Sequence, residues 1–186
     1  MSEKEKIIMG IDGSLQSSGI AVINGETGEV INYGNLPIKP KDFNGDEILK
    51  IHYIATTILK IAKEYNVTHI AIENSYVGVN SRTGLTLARL YGAITCLLIE
   101  NNIKLIYTYT PSNWRKIATG IGNKTKEGMY DWVCNHMVDK EELGEFSTKG
   151  KGKNDDICDA LGIAYALYKR LNKEKWEWIE YWLLKM

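Results

Sequence analysis

Three short apolar runs, at 6–12, 19–24 and 30–36, are separated only by turn residues, and this opening constrains the fold more than any other part of the chain. Runs of that length bounded by Gly and Asn are strand signals, and a connection as short as GETG at 25–28 forces neighbouring strands to run antiparallel. The first 36 residues are therefore expected to form a meander. A meander exposes one face or both, so the rest of the chain must supply helices to cover it.

The rest of the sequence supplies them. Pro37, Pro40 and Asn44-Gly45 mark a loop, and over 46–65 Ile48, Ile51, Ile54, Ile58 and Ile61 recur at helical spacing. HIAIE at 69–73 reads as a fourth strand. A helix over 84–100 follows, with a broad apolar stripe of Leu87, Leu90, Tyr91, Ile94, Leu97 and Leu98, and then a fifth strand over 104–108. Pro111-Ser112 opens a short helix, 125–138 reads as another, and the basic, Gly-rich FSTKGKGKN at 146–154 reads as a mobile loop. A strong helix is expected over 156–171, followed by a separate tail rich in tryptophan that is also expected to be helical. The order predicts an α/β fold with a mixed five-stranded sheet, its first three strands antiparallel, flanked by helices. The 186 residues are expected to form one unit, with a core over about 6–171 and a tail over 172–186.

Composition excludes several classes of function. No stretch approaches about 20 uninterrupted apolar residues and the polar start MSEKEK has no apolar signal core, so the protein is expected in the cytosol. Cys96, Cys134 and Cys158 are isolated and expected to be buried thiols. His52, His69 and His136 lie far apart, which leaves histidine-based zinc or nuclease chemistry poorly supported. The formal net charge is zero, yet basic residues outnumber acidic ones between 104 and 153, which leaves room for a polyanionic partner.

Four carboxylates carry the chemistry. Asp12 closes the first strand where the chain turns through GSLQSSG, and Glu73 closes the fourth in the same manner. Asp156 and Asp159, three apart at a helix start, project from one face, where the helix dipole also favours acids. If strands one and four are neighbours, Asp12 and Glu73 emerge side by side, and all four acids can converge only if cations balance them. Two Mg²⁺ ions about 3.5–4 Å apart would do so while activating water and stabilising the leaving oxygen of a phosphodiester.

With these residues in view the chain resembles the RuvC family of Holliday junction resolvases. GIDGSLQSSG at 10–19 resembles that family's first strand and turn, IENSY at 72–76 its strand-end glutamate, GIGNKTK at 120–126 its basic segment, and DDICDALGIAYA at 155–166 its terminal Asp-x-x-Asp helix. The resemblance runs in order over about residues 7–168. One departure is GIDGS where the family has Gly-Ile-Asp-Pro-Gly, although the spacing from Asp12 to Gly19 is kept.

The resemblance implies a ribonuclease-H-like fold and a metal-dependent endonuclease that cuts four-way junctions or other branched DNA, leaving 5′-phosphate ends. It makes Asp12, Glu73, Asp156 and Asp159 the catalytic and metal-binding acids, with the register set on 156 and 159 by the Asp-Ala-Leu that follows. It places Lys126 near the scissile phosphate. Tyr76, Asn80, Arg82, Arg115, Lys124, Lys151 and Lys153 are the other expected DNA contacts, Tyr76 by stacking on bases. The implied cofactor is Mg²⁺, two ions per site, with Mn²⁺ as a substitute. The implied assembly is a homodimer joined through the helix at 84–100, because two symmetric cuts need two sites. Two other activities share the fold: a ribonuclease H cutting RNA–DNA hybrids, and a silent branched-DNA-binding relative. A nucleotide-binding domain of the actin and sugar-kinase type needs two such halves, more than this length holds.

Overall fold

The computed structural model describes residues 5–74, 81–149 and 153–183. Strands β1 (Ile7–Asp12), β2 (Gly19–Asn24) and β3 (Val30–Asn35) form the expected antiparallel meander. Strands β4 (His69–Glu73) and β5 (Leu105–Tyr109) add to it in parallel, giving one mixed sheet of order β3-β2-β1-β4-β5.

Side chains alternate across a strand, so each face of this sheet can be read off the register. Met9, Ile11, Val22, Ile70 and Ile72 fill one face beneath helices α1 (Glu47–Glu64) and α2 (Ser81–Glu100). Ile8, Ala21, Ile23 and Ala71 fill the other beneath α3 (Pro111–Thr119), α4 (Lys126–His136) and the long α6 (Asp155–Leu183), with the one-turn helix α5 (Lys140–Leu143) at its edge. Ends of helices obey local chemistry. The Asp46 side chain accepts from Leu49 N to cap α1, and Thr125 accepts from Gly128 N to cap α4.

Two glycines let α6 lie directly on the sheet. A Cβ at Gly10 would stand 2.2 Å from the Ala160 carbonyl oxygen, and one at Gly19 would stand 2.0 Å from that of Asp156. Both neighbours are backbone, so a side chain at either place would have to displace the helix itself, and glycine is the residue that fits.

Several details depart from the sequence reading. The tail is continuous with the last helix, which runs unbroken from Asp155 to Leu183. The run at 146–154 is tied at its ends: the buried Asn154 side chain donates to the Leu143 and Glu145 carbonyls and accepts from Ser147 N, at 3.2, 3.0 and 2.9 Å. Cys96 is exposed and Cys134 half-buried, so only Cys158 is the inert core thiol expected of all three. Among the described residues, 82–100 is long and apolar enough by length and composition to cross a membrane, although Arg82, Arg89 and Glu100 interrupt it, so it is no unbroken apolar run. The polar residues of α2 are mostly uncharged. Leu90, Ile94 and Leu98 wedge it against α1, whereas Leu85 and Ile99 remain half exposed.

Candidate active site

Residues 8, 10 and 12 share a face of β1, and 69, 71 and 73 share a face of β4. Because Ile8 and Ala71 pack beneath α6, Asp12 and Glu73 belong to that same face. Ile11 pairs with Ile72 in the parallel ladder, so the next residue on each strand, Asp12 and Glu73, leaves the sheet at one level. Above them lies the first turn of α6, pressed onto Gly10 and Gly19 through Ala160 and Asp156. The four acids are thus brought to one end of one sheet face. The sequence expectation of neighbouring strands and a converging helix pair is met.

Electrostatics express that convergence. Burial, then the charges of Glu73, Asp159 and Asp156, holds the Asp12 carboxyl well above the usual carboxylate range, and Lys126 pulls weakly the other way. Asp159 is pushed up to about 6, mainly by burial, with Arg115 opposing and Glu73 adding to the rise. Asp156 and Asp159 are 6% and 5% exposed, and charged groups are seldom so buried unless paired.

The pairing comes from side chains of the protein. Lys153 Nζ donates to Asp156 Oδ2 at 2.6 Å, and Arg115 Nη2 to Asp159 Oδ2 at 3.2 Å. Trp114 Nε1 donates to Glu73 Oε2 at 2.7 Å. Lys126 donates to Asp155, the most deeply buried of the acids, which Lys153 also approaches at 3.7 Å. Burial alone would lower the Lys126 ammonium, but the hydrogen bond and charge of Asp155, with Asp159 and Asp156, raise it. The turn that follows Asp12 is closed by serines: Ser18 Oγ donates to the Ser14 carbonyl at 2.6 Å, while Ser14 Oγ accepts from Gln16 N and Ser17 N.

The expected DNA contacts divide. Lys126 and Arg82 are exposed and Lys124 half-buried, while Arg115 and Lys153 turn inward onto acids. Tyr76, Asn80 and Lys151 lie outside the described residues. Trp114 and Asp155 were not foreseen as parts of the site. His69 and His136 are structural, bonded to Thr68 Oγ1 and the Trp132 carbonyl.

The donor set suits a divalent cation. It consists of hard carboxylate oxygens, Asp159 Oδ1 is buried with no hydrogen-bond partner among the described residues, and the raised Asp12 would be relieved by positive charge. Among the described residues no three ligating side chains are already gathered around one point.

Comparisons with known proteins place the same residues in context. The family described as crossover junction endodeoxyribonuclease RuvC matches residues 8–166. The enzyme of that name from Rickettsia massiliae is 32% identical over 161 residues, covering 86% of this chain and 94% of its own. The one from Caldicellulosiruptor saccharolyticus is 29% identical over 160 residues, covering 84% and 89%. Among solved structures, Thermus thermophilus RuvC in complex with a Holliday junction substrate superposes with a TM-score of 0.68 at 17% identity, covering 87% of this chain and 92% of that one. The yeast mitochondrial Holliday junction resolvase Ydc2 superposes with a TM-score of 0.62 at 14% identity, covering 94% and 83%. These likenesses establish the ribonuclease-H-like fold.

Proposed function

The chain belongs to the RuvC family of crossover junction endodeoxyribonucleases, and on that footing we propose that it resolves four-way DNA junctions by hydrolysing phosphodiesters at the Asp12–Glu73–Asp156–Asp159 cluster. The observation that carries the reading is the delivery of four acids from β1, β4 and α6 to one end of one sheet face, in the order the family requires. Divalent-metal dependence goes with the family.

Asp12, Glu73 and Asp159 would hold the cations, with Asp156 completing the set. Mg²⁺, with Mn²⁺ as a substitute, would supply charge neutralisation and an activated water at such a site. Arg115 and Lys153, placed against Asp159 and Asp156, would also stand beside the backbone of an incoming strand. Lys126, exposed and held protonated by Asp155, stands ready to neutralise charge developing on the scissile phosphate. Arg82 and Lys124 extend the basic surface to flanking phosphates.

Paired cuts call for a homodimer, and α2 offers the surface. Leu85, Ala88, Cys96 and Ile99 are all exposed, and their spacing places them on one stripe of the helix. An uncovered apolar stripe of this length is what an isologous contact requires. We take the described elements and the tail as one folding unit within each subunit.

The test is cleavage of a labelled four-way junction, a flap, a linear duplex and an RNA–DNA hybrid in Mg²⁺, with wild type beside Asp12→Asn. Symmetric paired nicks in the junction, absent from the mutant, are expected. Cutting of the hybrid alone would move the assignment to a ribonuclease H, and binding without metal-dependent cutting would leave a silent relative.

A further inference from the structure

Among the described residues Trp114 is the largest side chain wholly withdrawn from solvent, yet its one polar atom is not spent on the core. Its Nε1 hydrogen goes to Glu73 Oε2 at 2.7 Å, across 41 residues of sequence. A buried indole must find an acceptor, and a backbone carbonyl would ordinarily serve. Here the acceptor is one of the four clustered acids.

The rest of the surroundings keep the indole in place. Glu73 pairs with Tyr109 at the end of β5, and the chain then turns at Pro111 into α3, so the first turn of α3 is brought back over Glu73. On the opposite side Gly162 of α6, three residues beyond Asp159, makes room for the ring. A Cβ there would come within 2.6 Å of Trp114 Cζ3 and 2.9 Å of Met129 Cε. The Arg115 guanidinium lies 4.8 Å over the Trp114 ring while bonding Asp159. Two consecutive residues of α3 therefore hold acids from two different elements, Glu73 of β4 and Asp159 of α6.

We propose that Trp114 is a positioning residue for metal binding: its indole N–H fixes the Glu73 carboxylate by engaging Oε2, so that Oε1 is offered to a divalent cation in one orientation. The inference rests on the nuclease reading given above. Groups that orient a ligand without touching the ion typically change metal affinity or activity by roughly 10–100-fold when removed. The advantage is entropic, since a glutamate side chain free to rotate must be immobilised each time an ion binds.

The test uses the full-length protein without DNA. Mn²⁺ affinity is measured by calorimetry for wild type, Trp114→Phe, Glu73→Gln and the double variant, alongside the metal dependence of junction cleavage. Trp114→Phe is expected to weaken Mn²⁺ binding roughly 10–100-fold, to alter turnover at saturating metal much less, and to add no further loss when Glu73 is already Gln. Equal losses in both backgrounds, or an unchanged affinity, would overturn the proposal.

Should Trp114→Phe fail to fold, the indole resonance decides. In ¹⁵N-tryptophan-labelled wild type it is expected to move on adding Mg²⁺ and to start from a different position in Glu73→Gln, where Mg²⁺ no longer moves it. A resonance indifferent to both changes would also sink the idea. If wild type binds metal but cuts no branched DNA, the nuclease reading fails while the affinity comparison still judges Trp114. Absence of any divalent binding would overturn both.

Discussion

Lys126 bonds the buried carboxylate of Asp155, not one of the four clustered acids, and this links the first residue of α4 to the first residue of α6. The acid is 1% exposed at its side chain and the lysine about half exposed, so the buried partner orients the accessible one. Asp155→Asn is expected to cost roughly 1–3 kcal/mol, through loss of a charged partner to a buried group. Cleavage at saturating metal should fall by up to roughly 10²-fold, the lower end for loss of one charge-stabilising contact, while Mn²⁺ affinity stays unchanged. Calorimetry that showed metal binding lost in this variant would instead make Asp155 a ligand and shift the register of the helix acids.

Asp12→Asn should separate activity from stability. Junction cleavage is expected to fall by roughly 10³-fold, equivalent to several kcal/mol of transition-state stabilisation. The metal-free protein should become more stable at pH 8, because the carboxylate that burial and three neighbouring acids disfavour is gone. Each kcal/mol gained would raise Tm by about 2–4 °C in a chain of this size. A lower Tm in EDTA would contradict the repulsive cluster described above.

Ile99 is half exposed on the α2 stripe, so a charge there leaves the fold intact. Ile99→Arg is expected to convert a dimer to a monomer in sedimentation velocity at tens of micromolar and to replace paired cuts by independent nicks, with Mn²⁺ binding unaltered. Wild type sedimenting as a monomer under those conditions would remove the basis for pairing through α2.

His69 lies against Thr68 with its imidazole lowered from 6.5, first by burial and then by the charge of Lys6. The unfolded chain therefore binds more protons than the folded one just below pH 6.5, and the stability contributed by the neutral ring is lost as pH falls through that value. The carboxylate cluster acts with the opposite sign, so the informative quantity is the difference in Tm between wild type and His69→Gln from pH 7.5 to 5.5. That difference should shrink toward acid. A constant offset across the range would show that the ring carries no titration linkage.

Much of the scaffold was legible because its punctuation is local. Gly19 and Asn24 bound β2, and His69–Glu73 stands as a strand between Asn66 and the helix that follows, so both elements have the limits the sequence suggested. The convergence of Asp12 and Glu73 followed from strand ends alone once β1 and β4 were neighbours. What stayed hidden are partnerships between distant positions. Nothing along the chain ties Trp114 to Glu73 or Lys126 to Asp155, and a buried tryptophan on a short helix looks like ordinary core. The basic residues between 104 and 153 suggested a surface for phosphates, yet Arg115 and Lys153 are turned onto acids, because buried carboxylates draw nearby positive groups. The continuous α6 was more accessible than the reading allowed: neither Gly nor Pro occurs between Gly162 and Leu183 to stop it.

The glycines at 10 and 19 give the site a fixed ruler. Because main-chain atoms of α6 rest on main-chain atoms of β1 and β2, the offset between strand-borne and helix-borne acids is set by the thickness of two polypeptide backbones. Exchanges of apolar side chains elsewhere in the sheet can loosen or tighten packing without resizing that offset, so the core is free to vary while the gauge of the catalytic cleft is inherited unchanged. A single methyl group at either position would act as a shim, lifting the helix and widening the cleft at once.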